Sequence, residues 1–566
     1  MSSVPGSLIT RNYTGFRGVD FSSRKDEVSL YRSPDALNMW RNYKSSGGKC
    51  IETRPDLELL EEYSDTIFGL FFYTTNGITQ RIVHSGTKLY KGTEEIYSGM
   101  ARHESKFFIY SNLLYIKDGS KYLVYDGTEV KEVEGFIPTT SISRSPNGGG
   151  QIYQDVNLLT GIRKNSFCAD GIATEYFLDA QNIDNDYTPK VWINDKEVTT
   201  FTTDYASGKI TFTTAPEEPL TAGQDNVFIQ FRRTIDGYRD RIDKCTLLEV
   251  FDNRVFFSGN PDYPNVLFHS SLDNPAYCSD LDYYEEGTND SKVRSIVVGN
   301  NALWALKEPS QSNTTIFYHN PTIDSDYGKI YPSVHSSISV GCTSVGVNFN
   351  DSICFFSERG LETISGDVTT EQAVAHRSTL IDNRLLNEEG YNNLFVEEWE
   401  GYLLVIVGNK IYLADSRELV TVNDHNEYEW FYWEFDKEIT SAHVKNGVLY
   451  LCSNNNIYTL TNTSSTRVVD AYWTTLEDEF KYPHYQKTTN KKGCVVDIEG
   501  SEINIYARTD NDNFDLIKKY PNVKGYVVSK IKKKKWKSIQ LKFASTKPFS
   551  LYSSTLEAYV GSYVKR

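Results

Sequence analysis

The sequence predicts an all-β fold: a β-propeller of about six to eight irregular blades, carrying a small inserted β-sandwich and a C-terminal antiparallel β unit. Three observations lead there. A hairpin signal returns at nearly constant spacing. Aromatic residues make up 13% of the chain while methionine occurs only 3 times, a bias toward strands. Helical periodicity is weak throughout.

The recurring hairpin is clearest at Val250 to Gly259, V-F-D-N-R-V-F-F-S-G. Asp252-Asn253 suits a two-residue turn, because Asp and Asn tolerate positive φ. The turn returns at Asn300-Asn301, Asn350-Asp351, Glu400-Gly401 and Asn446-Gly447. With Asn253, Asn301, Asp351, Gly401 and Gly447 as markers, the steps are 48, 50, 50 and 46 residues. A strand-rich repeat of roughly 40 to 50 residues is the mark of propeller blades, each a small sheet that stacks on its neighbours.

Taken in order, residues 1–64 read as a polar N-terminal arm that crosses the propeller and closes one blade. Its X-Pro steps at Ser33-Pro34 and Arg54-Pro55 favour extended backbone. The first blades occupy 65–150, with a turn at Asn76-Gly77 and strands around Phe107 to Tyr125. Ser141 to Gly150 reads as a flexible connection. Residues 151–240 break the blade pattern: short turn-separated strands such as Lys190 to Ile193 and Lys209 to Phe212 predict the inserted sandwich. The remaining blades fill 241–470, with Glu371 to Leu386 as the best helical candidate. Period-two alternation at Cys494 to Ile498, Ile503 to Arg508 and Trp536 to Phe543 predicts the β unit over 471–566.

Few chemical motifs survive inspection. No two of the nine histidines have metal-ligand spacing, and each reads as a turn or surface residue. There is no G-x-S-x-G elbow and no glycine-rich phosphate loop. No cofactor, metal or catalytic residue is assigned, and the chain reads as a non-enzyme. The acidic run with Asp282, Glu285 and Glu286 reads as a solvated loop rather than a glycosidase pair. Asp324 to Gly328 is only faintly like a calcium loop. The eight cysteines form no C-x-x-C pair and read as small hydrophobes made in a reducing compartment. No secretory signal and no run of about 18 apolar residues is read. The net charge of −16 argues against a nucleic-acid coat, because phosphates need a cationic surface. One basic cluster stands out, with Lys532, Lys533, Lys534, Lys535 and Trp536 as the candidate partner contact. Its other reading is an edge strand guarded by lysines.

A resemblance to a known family emerges at Val255 to Ser270, V-F-F-S-G-N-P-D-Y-P-N-V-L-F-H-S, followed by Asp273-Asn274-Pro275-Ala276-Tyr277. This resembles the "sGnp…pn.v.yS…dP.yf" segment of the tail nozzle, or tail tube and head–tail stabilisation, proteins of short-tailed bacteriophages. Asn38-Met39 with Arg54-Pro55-Asp56 resembles that family's N-terminal "N-m…R-p-G" pattern, with Asp56 where glycine is commoner. Val297 to Lys307 resembles the segment after the hallmark. Gly171 through Pro216 resembles a small β domain inserted in phage tail proteins.

The resemblance implies a structural virion protein, assembled in the host cytoplasm. It would form a homohexameric ring that continues the DNA channel of the tail. It would contact a head–tail adaptor or portal-associated protein, and tail fibre or needle proteins, and let double-stranded DNA pass without specific binding. A glycan-binding or glycan-cleaving propeller is the alternative reading, and a cytoplasmic scaffold is a third.

Overall fold

The computed structural model describes residues 6–75, 77–312, 314–325, 328–365, 368, 373–422, 425–462, 468–510 and 512–563. Among them helix is confined to single turns, at Tyr43–Ser46, Asp240–Asp243, Asp382–Leu385 and the 3-10 turn Tyr391–Asn393. Among the described residues seven four-stranded antiparallel meanders recur along the chain, which is an all-β propeller. The chain divides into two compact units, Phe71–Ser339, and Met1–Leu70 with Val340–Arg566.

In the unit Phe71–Ser339 the first meander begins with the strand Ile67–Thr75, within which the division falls, and ends at Glu94–Ser98. Asn76 of its predicted turn lies outside the described residues. The second meander runs from Lys106–Tyr110 to Val130–Glu132. The third runs from Leu247–Phe251 to Tyr283–Glu285, and the fourth from Val293–Gly299 to Ser333–His335. The first two strands of the second meander meet at Ser111 and Asn112, with φ of 48° and 62°. Asp252-Asn253 and Asn300-Asn301 repeat this geometry in the third and fourth. Two successive left-handed residues make a turn whose twist matches the flanking strands.

The same spacing repeats a second feature. Five or six residues beyond each turn, the second strand ends in a buried polar side chain: Lys117, Ser258 and Lys307. Ser258 Oγ donates to the Val266 carbonyl at 2.7 Å. The Lys307 ammonium donates to the carbonyls of Glu286 (2.7 Å) and Thr288 (2.6 Å). The Lys117 ammonium donates to those of Lys121 and Asp243. Burial lowers the pKa of both lysines.

Between the second and third meanders stands the inserted sandwich. Its six-stranded sheet has the order Gln151–Ile152, Thr139–Arg144, Ile162–Phe167, Val227–Arg232, Lys190–Ile193, Lys196–Val198. A three-stranded sheet of Glu175–Phe177, Lys209–Phe212 and Phe201–Asp204 faces it. Phe167, Tyr176, Val191, Ile210 and Phe231 form the shared core. The segment expected to be a flexible connection is therefore structured over Thr139–Arg144, which pairs parallel to Ile162–Phe167. Arg144 is the reason: its buried guanidinium donates to Ser141 Oγ and the Phe177 carbonyl, both at 3.0 Å.

In the other unit, the fifth meander runs from Gly346–Phe349 to Val374–His376 and the sixth from Phe395–Trp399 to His425–Glu434. Their turns, Asn350-Asp351 and Glu400-Gly401, have positive φ at both positions, as does Asn446-Gly447 in the seventh. That seventh sheet takes Ser441–Lys445, Val448–Ser453 and Asn456–Thr461 from one end of the chain and Asp56–Glu62 from the other. The predicted helix over Glu371 to Leu386 is not formed. Glu371 and Gln372 lie outside the described residues, Val374–His376 is a strand, and only Asp382–Leu385 is helical. The cause is local: His376 bridges Glu362 (3.2 Å) and Asp382 (2.6 Å), and Ser378 Oγ donates to Asp382 at 2.6 Å. Burial opposes the charge on His376, but the two carboxylates outweigh it and raise its pKa to about 10.

The residues before Asp56 mostly join the C-terminal β unit. Leu8–Thr14 pairs with Phe549–Tyr563, Ala36–Leu37 with Ala471–Thr474, and Ile51–Thr53 with Met39–Trp40 and Leu551. Arg32 forks onto Glu429 with two bonds of 3.1 Å. Asn38 and Arg54 form a buried knot. Arg54 Nε donates to Asn38 Oδ1 at 2.9 Å, which also accepts the Glu434 amide at 2.8 Å. Arg54 reaches the Glu434 carbonyl, and its guanidinium lies 3.9 Å over the Phe435 ring. Asn38 Nδ2 donates to the Asp470 carbonyl, and Asn38 itself is left-handed at φ 55°. The 25-residue strand Tyr485–Thr509 is the axis of the β unit. It curls until Lys487 and Thr509 pair with Trp536 and Ile539, nearby points of one segment.

Two outcomes follow for stability. Asn38→Ala and Arg54→Ala will be non-additive in urea unfolding, with a coupling of about 1.5–3 kcal/mol for a charged buried bond; simple additivity would show that the knot is not a unit. His376→Gln will destabilise by about 3 kcal/mol, because it strands two carboxylates. The raised imidazole pKa places this stabilisation fully below about pH 6.5, and it is lost as pH rises through about 10. Unfolding of both proteins at pH 6, 8 and 10 will show the gap closing; a constant gap would refute the assignment.

Candidate functional site

The basic cluster follows the strand Asp515–Ser529, which hydrogen-bonds Tyr485–Thr509. Lys534–Trp536 then returns to pair with the start of that same partner strand. Strand alternation turns Trp536 inward, where it packs on Phe480 at 5.5 Å and is only 1% exposed. The ammonium of Lys487 lies 5.7 Å from its ring. Lys487 is itself buried, donating to the carbonyls of Tyr482, Tyr485 and Lys537, and desolvation lowers its pKa to about 8. Lys533 is half-buried and pairs with Asp515 at 2.5 Å. Lys532, Lys534 and Lys535 face solvent. The surface thus presents lysines without the interleaved aromatic ring.

The acidic run of the third meander is not wholly solvated. Tyr283–Glu285 is a strand, so Tyr283 and Glu285 face outward while the alternation carries Glu286 inward. Glu286 is fully buried; it accepts Ser333 Oγ at 2.6 Å and lies 2.9 Å from His319 Nε2. His319 Nδ1 meets the Tyr331 carbonyl at 2.9 Å. His84 and His269 are also buried, which corrects their reading as surface residues. Both sit on strand positions that face the core; His84 meets Ser105 Oγ and the Gly86 carbonyl, His269 Nδ1 meets the Ser270 carbonyl, and burial lowers the pKa of both. Each is a core histidine. His376, held protonated between carboxylates, has no free lone pair for general-base work.

Two cavities open in the unit that holds the C-terminal sheet. One, of about 400 Å³, is lined by Trp40, Lys44, Trp399, Glu400, Leu449 and Asn462. Its two tryptophan rings stack on each other at 5.5 Å and are buried, and Lys44 pairs with Glu400 at 2.5 Å. The other, of about 390 Å³, is lined by Asp470, Tyr472, Asn504, Tyr506, Phe514 and Lys542. There the Lys542 ammonium lies 3.5 Å over the Tyr472 ring, and burial lowers its pKa. Neither lining presents the two carboxylates that glycoside cleavage needs. Among the described residues no group of three or more His, Cys, Asp or Glu could hold a metal ion, and no helix is long and apolar enough to cross a membrane. The eight cysteines are free thiols, and all but Cys168 are buried.

Sequence inspection missed one surface. The strand Asp56–Glu62, D-L-E-L-L-E-E, is acidic and lies at the edge of the seventh sheet with Leu59 and Leu60 exposed. Its alternating acidic and apolar residues were the available signal.

No family model matches the chain, and no curated protein does. Among solved structures it is similar to BamB from Moraxella catarrhalis, at 10% identity and a TM-score of 0.31, over 73% of this chain and 98% of that one. It is similar to YCF48 bound to D1 peptide, at 8% identity and a TM-score of 0.33, over 73% and 97%. It is also similar to an exo-beta-1,3-galactanase from Phanerochaete chrysosporium, at 8% identity and a TM-score of 0.20, over 55% and 94%. Likenesses at these scores carry no functional argument.

Proposed function

We propose that this chain is a structural subunit of a bacteriophage tail, forming a hexameric nozzle ring that continues the DNA channel. It binds a head–tail adaptor on one side and fibres or a needle on another, and it retains and releases the genome without chemistry. The observation that carries this reading is the hallmark segment from Val255 to Tyr277, whose residues serve architecture. Asn260 Nδ2 donates to the carbonyls of Asp240 and Arg241 at 3.0 and 2.9 Å, and Asn260 Oδ1 accepts the Asp262 amide at 2.9 Å. Gly259 is left-handed at φ 74°, where a Cβ would stand 2.4 Å from Thr246 Oγ1. Ser270 Oγ accepts the Val255 amide at 2.9 Å. A motif spent on holding a short helix against a hairpin suits a wall better than a site.

The charge supports the same reading. A net charge of −16 gives passing phosphates few cations to hold. Negative-stain electron microscopy of the purified chain will show rings. A monodisperse monomer that captures or cleaves polysaccharide would overturn the proposal in favour of the glycan-directed reading.

A further inference from the structure

Charge is distributed very unevenly along this chain. Between Asp515 and Lys537 there are nine lysines and one carboxylate, Asp515 itself, in a protein of net charge −16. Ten residues, Asp56 to Asp65, hold five carboxylates and no basic residue. Both stretches lie in the same compact unit, and each supplies an edge strand. Asp515–Ser529 hydrogen-bonds only Tyr485–Thr509, and Asp56–Glu62 only Asn456–Thr461, among the described residues.

The two edges are complementary in more than charge. Along the basic edge, apolar residues are exposed on the same strand as the lysines: Leu516 is 56% exposed, Tyr526 76% and Val528 47%. Along the acidic edge, Leu59 is 53% exposed and Leu60 45%. Part of the charge is already matched within the chain. Lys519 pairs with the partly buried Glu502 at 2.7 Å and Lys524 with Glu499 at 2.9 Å, surface pairs of small energetic weight. Lys518, Lys530, Lys534 and Lys535 have no ion pair among the described residues, and neither do Glu58 and Glu62.

Edge strands commonly carry charge to prevent pairing, and both edges here show further guards. Pro521 removes an amide from the middle of the basic edge, and a register shift bulges the acidic one at Leu60. These devices forbid a long backbone ladder. Like charge also forbids either edge from meeting its own equivalent. What remains permitted is contact between unlike edges through side chains.

We propose that the basic edge Asp515–Ser529, with the lysine cluster that follows it, docks on the acidic edge Asp56–Glu62 of a second copy of this chain. The contact is heterologous, so each copy keeps one basic and one acidic edge free for the next, and repetition builds a ring or a filament according to the rotation between copies. This rests on the assembly reading given above and adds the surface that makes it. Unlike charges across the contact steer encounter and weaken with salt.

The test is the mass of the full-length protein by light scattering, at about 0.1 M and about 1 M salt. Wild-type protein will assemble at low salt and dissociate at least partly at high salt. Lys518→Glu with Lys524→Glu and Lys534→Glu will be monomeric, as will Glu58→Lys with Glu62→Lys. All these side chains are exposed, so thermal melts and circular dichroism will match wild type. Combining both sets in one chain reverses each edge, and assembly will return. If wild type assembles while the reversed chains assemble equally well, the docking surface is wrong and the assembly reading stands. If wild type is monomeric throughout, the assembly reading falls with it.

Discussion

The structure depends on a buried knot between Asn38 and Arg54. One carboxamide oxygen accepts from both the Arg54 guanidinium and the Glu434 amide. One guanidinium covers Phe435 and caps the Glu434 carbonyl. Through these bonds the N-terminal arm is fixed at the end of the sixth meander, and everything the arm contributes follows. Asp56, two residues past Arg54, starts the strand that completes the seventh sheet. On the other side, Met39–Trp40 and Ile51–Thr53 splice the sixth meander to the C-terminal sheet. A polar knot is costly to half-satisfy, and this one is matched on both partners.

The meanders themselves rest on a simpler rule. From the second to the seventh, the first two strands meet at a turn whose two residues are both left-handed, and the chain supplies Asn, Asp, Gly, Ser or Glu at those positions. In the second, third and fourth the second strand then buries a polar terminus, a serine hydroxyl or a lysine ammonium, that donates to backbone carbonyls. A turn that restricts residue choice explains a constant spacing without identical residues.

How much of this was legible in the sequence differed by element. The turns were legible because left-handed backbone restricts residue choice. The inserted sandwich was legible from its short strands, but not its first strand: Thr139–Arg144 is polar, and the guanidinium that orders it bonds to Phe177, far along the chain. The buried state of Glu286 was hidden because D-L-D-Y-Y-E-E-G reads as uniformly polar, and only strand alternation separates Glu285 from Glu286. Within the basic cluster, composition announced the lysines. Nothing local announced that Lys487, half a hundred residues earlier, would cover Trp536. Asn38 illustrates the same limit, since its partner in the knot, Arg54, is set by strand pairing and not by neighbourhood.

The seventh sheet has a consequence for synthesis. Asp56–Glu62 leaves the ribosome roughly 400 residues before the strand Asn456–Thr461 that it pairs with. At about 5–20 residues per second, that strand waits on the order of 20 to 80 s without a partner. During that interval it is an unpaired strand in a crowded cell, and its carboxylates keep the nascent chain from aggregating through Leu59 and Leu60. The same residues that close the fold therefore first serve to keep the nascent chain soluble, and the last meander can form only after Asn456–Thr461 has emerged.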